Sequence, residues 1–393
     1  MWFQAAKRLT ILAGVMLLAL ALGGCGSKQP RVPVGVMDSP AHHFNNGLKF
    51  LDEGNALMAD REFDLALSIE AEYPPALAGK GVVMAMNGNE DALDLVDDAR
   101  DAADDWGPEV RMWPEVMELR VLTEMYSARM LSREDFLEEI VDIQEEALEM
   151  APHAPQPYFY MGEAYVRALE FGPAEGQFHK VLLLAKGYEA RAEKRWRLVQ
   201  DVNRAAPNTV VGKKIALVEA LTRADLAALM VEELDVDKFY TRTDIPLAGE
   251  FVEPVADQMI LDTTLAVTDI TEHPLRADIE KVLHYEVKGL GLYPDRSFHP
   301  DEPVTRAEAA MIFEDVVVRS TGRLELATQF IGQESRIPDM RGDHPAYNAA
   351  MLNVTRGIMD ADIRTGLFRP LDTVSGIEAL LAVKALRREL SLF

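Results

Sequence analysis

The 393-residue chain has one cysteine, so no disulfide can form within it. It is also short of positive charge: 40 Lys and Arg stand against 65 Asp and Glu, a net charge of −25. So acidic a chain repels phosphate backbones, which excludes general nucleic-acid binding. It lacks a Gly-rich phosphate loop, a nucleophile elbow and the Cys and His spacing of a zinc site. Carboxylate pairs abound in this composition, and spacing singles out none. The expectation is therefore a non-enzymatic protein, with no catalytic residue, no cofactor and no metal site. One long apolar run is present, Leu9 to Leu22, and it is too short to span a bilayer comfortably.

That run follows Lys7 and Arg8 and ends at Gly23-Gly24-Cys25, the layout of a bacterial export signal. Leu22-Gly23-Gly24-Cys25 resembles a lipobox. The resemblance implies a lipoprotein signal peptide over 1–24 and acyl chains on Cys25 that hold the chain to a membrane. An uncleaved signal anchor or a free thiol is the other reading of the same residues. Loss of Lys7 and Arg8 would leave a net charge of about −27. Gly26, Ser27 and Lys28 follow, with no Asp after the cysteine. By resemblance to lipoproteins of cells with two membranes, this implies the outer membrane, facing the periplasm. Residues 25–40, with Pro30, Pro33 and Pro40, read as the lipidated cysteine and a flexible tether.

From 41 to 206 the pattern is helix after helix. Gly47, Phe50, Gly54, Ala59, Phe63 and Ala66 place small residues where two antiparallel helices approach, and aromatics between them. Pro157, Gly162, Tyr165, Ala174 and Phe178 repeat these intervals, and Gly81, Met84 and Gly88 do so more loosely. The spacing resembles the tetratricopeptide repeat (TPR), which implies a helical hairpin solenoid with a concave face that binds a protein partner. An irregular helical bundle without a groove is the alternative. Trp106 to Met150 is helical but departs from the motif, with a helix start at Ser132-Arg133-Glu134-Asp135. The acidic run Asn89 to Asp105 reads as solvated helix faces.

Residues 207–393 carry a repeat. Asp269 and Asp339, Phe298 and Phe368, Pro300 and Pro370, Val304 and Val374, and Glu308 and Glu378 all stand at an offset of 70. One structural unit is therefore used more than once. Three segments share a hydroxyl followed three residues later by a carboxylate: Thr222 to Asp225, Thr305 to Glu308 and Ser375 to Glu378. Each pair predicts a helix capping box. Gly289-Leu290-Gly291-Leu292-Tyr293-Pro294-Asp295, Phe298-His299-Pro300 and Val304-Thr305-Arg306-Ala307-Glu308 together resemble the S-layer homology (SLH) family. Motifs fall near 209–235, 262–320 and 337–390, the first abbreviated. The resemblance implies a pseudo-threefold helical module. The expected fold is thus mainly α, a TPR-like helical hairpin solenoid followed by an SLH-like module.

Capping explains Thr and Glu in Thr-Arg-Ala-Glu but not Arg, since a cation opposes the positive helix end. In the family this Arg resembles part of a pocket for a pyruvylated or otherwise anionic wall glycan. Arg223 and Arg306, with Thr222 and Thr305, are therefore the glycan-binding candidates. A surface Arg paired with a neighbouring acid is the plainer reading. Gly376 replaces Arg in the third motif, which predicts a groove without anion binding there. Leu292 and Ala361 stand where the family often has glycine, and His273-Pro274 and His344-Pro345 where it has an aromatic. These histidines read as turn residues. Two functions follow: an envelope lipoprotein tethering a membrane to wall glycan, or a periplasmic protein scaffold whose SLH-like module no longer holds glycan.

Overall fold

A computed structural model describes residues 30–240 and 267–390, with only the backbone of Phe239. Cys25, the signal segment and the first tether residues lie outside the described residues. The described chain is mainly helical, with consecutive helices packed as pairs. It divides into two compact units. One holds the described residues up to Ala168 together with Gly176–Ala192. The other holds Leu169–Glu175 and the described residues from Glu193 onward. Ala206-Pro207 lies inside the second unit, where Lys384 Nζ donates to Arg204 O and Asn203 Nδ2 to Glu175 Oε2 at 2.7 Å.

The first unit opens with the hairpin of α1 (Pro40–Asp52) and α2 (Ala56–Ile69). Pro40 suits the first turn of α1, and Ser39 caps it by accepting from His42 N. Asn55 caps α2 by accepting from Met58 N. Between them Gly54 takes φ 71°, the left-handed turn that glycine permits. Phe44, Leu48, Leu51, Ala59, Phe63 and Ala66 form the buried seam. A Cβ on Gly47 would lie 2.3 Å from the Phe63 ring, and one on Gly79 would lie 2.7 Å from it. The missing side chains are what let Phe63 sit between α1, α2 and α3 (Pro74–Met86). The interval recurs at Gly162, whose Cβ would meet the Phe178 ring at 2.6 Å. After α3 come α4 (Ala92–Asp101), α5 (Pro108–Arg111), α6 (Trp113–Ser127), α7 (Arg133–Met150), capped by Ser132, and α8 (Pro155–Arg167). Helices α9 (Phe171–Leu184) and α10 (Glu189–Ala205) each contribute to both units.

In the second unit α11 (Val210–Ile215) and α12 (Arg223–Glu232) are followed by α13 (Asp237–Tyr240). After the undescribed stretch come α14 (Arg276–His284), α15 (Arg306–Thr321), α16 (Tyr347–Thr355) and α17 (Gly376–Leu390). The segments leading into α12, α15 and α17 meet in a closed ring. Leu221 N donates to Val374 O at 2.7 Å, Val374 N to Val304 O at 3.0 Å and Val304 N to Leu221 O at 2.8 Å. Isolated β-bridges join Thr222 to Pro303 and Thr305 to Thr373. Each helix therefore starts from a backbone already fixed by its neighbours. The same cyclic order governs packing: α14 lies on α12, α16 on α15, and α11 on α17.

Candidate functional site

The three helices that leave the ring begin with the same cap. Thr222 Oγ1 accepts from Asp225 N at 3.1 Å, and Asp225 Oδ2 accepts from Thr222 N at 3.0 Å. Thr305 and Glu308 repeat this at 3.3 and 2.8 Å, and Ser375 and Glu378 at 3.3 and 3.1 Å. Each hydroxyl also donates to its carboxylate, so Thr222 and Thr305 are committed to the caps.

Ahead of the caps at Thr305 and Ser375 runs a turn pinned by a distant aspartate. Asp269 accepts from Phe298 N at 2.9 Å and His299 N at 2.7 Å, and Asp339 from Phe368 N at 2.9 Å and Arg369 N at 2.6 Å. His299 and Arg369 take φ 54° and 57°, which aims consecutive N–H groups at one carboxylate. The sequence repeat contains these aspartates, but pattern alone does not show that they hold a turn some thirty residues away. The motif histidines act within turns: His273 Nδ1 accepts from Leu275 N and His344 Nδ1 from Ala346 N, both at 3.1 Å.

Arg223 and Arg306 each reach from their own helix start to the turn of the next motif. Arg223 Nε donates to Phe298 O, Nη1 to Gly289 O and Nη2 to Gly291 O, all at 2.9 Å. Gly289 takes φ 89°, and a Cβ there would lie 2.6 Å from Ile312 Cγ1. The guanidinium carbon sits 4.8 Å from the Phe298 ring centre and 5.0 Å from that of Tyr293. Tyr293 donates to Glu302 at 2.7 Å, and this bond raises the phenol pKa. Its ring also meets His299 edge-on.

Arg306 repeats the clamp one motif later. Nε donates to Phe368 O at 2.7 Å, Nη2 to Asp360 O at 2.6 Å and Nη1 to the Glu378 carboxylate at 2.7 Å. The ion pair with Glu378 is the plainer role that sequence also allows. A guanidinium has five N–H donors, and three are used in each case. Arg306 is 9% exposed whereas Arg223 is half-buried, so Arg223 is the more accessible of the two. Beside Arg306 lies an open cavity of about 370 Å³ whose charged lining is Arg306, Asp360, Asp362, Arg369, Asp372 and Glu378.

The third position has no clamp. Gly376 N donates to Val218 O at 2.8 Å, and a Cβ on Gly376 would fall 1.7 Å from Ile215 O. The end of α11 fills the space that an arginine would need, so the glycine is a steric requirement of ring closure.

Among the described residues no group of three or more His, Cys, Asp and Glu could hold a metal ion, and no helix is long and apolar enough to cross a membrane. Residues 290–310, from the clamped turn into the first turns of α15, match the S-layer homology domain. No curated protein and no solved structure matches the chain. S-layer homology domains commonly bind cell-wall polysaccharide, and the match associates this stretch with the cell envelope.

Proposed function

We propose that the chain is a non-enzymatic envelope lipoprotein that tethers a membrane to cell-wall glycan. Acyl chains on Cys25 hold the membrane, an outer membrane facing the periplasm in a cell with two. The second unit takes the glycan. The hairpins of the first unit, similar to tetratricopeptide repeats, take a protein partner. The observation that carries the reading is that the S-layer homology match over 290–310 falls on the turn clamped by Arg223. Two N–H donors of Arg223 are not used by the clamp, and Tyr293, 37% exposed, offers a ring face beside them. A carboxylate-bearing sugar, such as a pyruvylated one, has the charge for the first and the apolar face for the second.

The test is co-sedimentation of the chain begun at Gly26 with protein-stripped wall sacculi, before and after mild acid removes ketal-linked pyruvate. Binding lost after acid supports a pyruvylated glycan. Binding that survives acid points to peptidoglycan or another polymer. Arg223→Ala is expected to weaken binding at least tenfold with the helical circular dichroism retained.

A second reading, a protein scaffold whose module no longer holds glycan, is favoured by the guanidinium bonding. Every nitrogen of Arg223 and Arg306 already donates to the chain's own oxygens. No sedimentation with sacculi, together with a stoichiometric protein partner on residues 207–393 in the cell, would select it.

A further inference from the structure

Residues 31–38, at the end of the segment that sequence reads as a flexible tether, form a closed loop on the first unit. The Arg31 guanidinium grips both oxygens of Asp38, with Nη2 at 2.7 Å. The same carboxylate accepts from Val34 N at 2.6 Å and faces His43 Nε2 at 3.0 Å. Arg31 is fixed in turn to the end of α2, its N donating to Ser68 O at 2.6 Å and its Nε to Ser68 Oγ at 3.2 Å. Between the two charges the chain reads Val32-Pro33-Val34-Gly35-Val36-Met37, with no polar side chain. All of it is exposed, Val32, Val34 and Val36 by 81%, 88% and 97%. Pro33 and Gly35 are ordinary turn residues, but four large apolar side chains exposed in one turn, with no Asn, Asp or Ser among them, call for a partner.

We infer that this loop is a membrane-contacting tip whose partner is the headgroup layer of a phospholipid bilayer. The inference rests on the lipid proposed above for Cys25. That residue stands six positions before Arg31, so even extended chain keeps the base of the loop within about 20 Å of the anchor. Charge fits an uncharged interface. The tip carries none, and Arg31 and Asp38 cancel at its base. A non-helical backbone cannot enter the hydrocarbon without stranding its N–H and C=O groups, so the tip sits at headgroup depth. The closed base presets the loop, and little conformational freedom is lost on contact.

Cys25 is the sole cysteine. The chain begun there can therefore be coupled through it to a maleimide lipid in phosphatidylcholine vesicles, independently of what the host attaches. The emission of Val34→Trp, with that of the parent subtracted, is expected to shift blue. Brominated acyl chains should quench it at least twofold more than they quench Leu57→Trp, an exposed site on α2. Equal quenching at the two sites overturns the inference. A blue shift that grows with protein concentration without lipid quenching also overturns it, because a second copy then covers the loop. Mass spectrometry of the chain from host membranes reports separately whether Cys25 is acylated. A failed lipoprotein reading and a failed loop are thereby told apart.

Discussion

At the residue scale, the two clamping arginines differ in what their loss exposes. Arg306→Ala strands Phe368 O and Asp360 O around a nearly buried site, while the half-exposed Glu378 carboxylate turns to water. The cost should be about 2–3 kcal/mol, from two carbonyls that lose their donor where water reaches poorly. Arg223→Ala releases three carbonyls that water can reach in part, and about 1–2 kcal/mol is expected. Urea unfolding of the two variants checks the order. A titrating group makes a second prediction. Arg100 donates to both oxygens of Glu115, at 2.9 and 2.7 Å, and also meets Asp97 and Glu118. One cation cannot satisfy three carboxylates. Burial pushes Glu118 up from 4.5 to about 7 against the pull of Arg100, and Glu115 adds to the rise. The folded chain then keeps a proton that the unfolded chain releases. Stability from this group falls as pH rises from about 4.5 to about 7 and stays low above. Glu118→Gln should flatten that slope in unfolding curves taken across this range, and an unchanged slope would place the titration elsewhere.

At the scale of elements, Asp269→Ala leaves the Phe298 and His299 amides without their acceptor, and Asp339→Ala does the same at Phe368 and Arg369. Each should cost about 2–4 kcal/mol and raise amide exchange in its own turn. The repeat that contains these residues was legible, because a fixed offset survives in sequence. So were the caps, whose partners are three residues apart. Gly47 with Phe63 and Gly162 with Phe178 were legible as small-and-aromatic intervals. What could not be read was any bond that crosses from one motif to the next. Sequence marks Arg223 as a ligand candidate because a cation at a helix start is locally unfavourable. Its compensation lies in carbonyls 66 to 75 positions away. The steric reason for Gly376 is hidden in the same way: Ile215 O, the atom that excludes a side chain there, is remote in sequence.

For the whole molecule, each unit has its own buried core and its own sensitive glycine. Gly376→Ala drives a methyl into the Ile215 carbonyl and should cost about 3 kcal/mol. Hydrogen exchange in this variant is expected to rise across α11, α12, α15 and α17 and to stay at parental levels in α2, α3 and α6. A rise shared by both groups would mean that the two units unfold as one. The ring also has a consequence in time. Its bond from Leu221 to Val374 joins nearly the first residue of the module to nearly the last. A ribosome that has made two motifs has made a ring with a gap, and contacts so distant along the chain form late. Until the third motif has been made, this half of the protein remains threadable, the form in which a polypeptide can still be passed through a narrow pore.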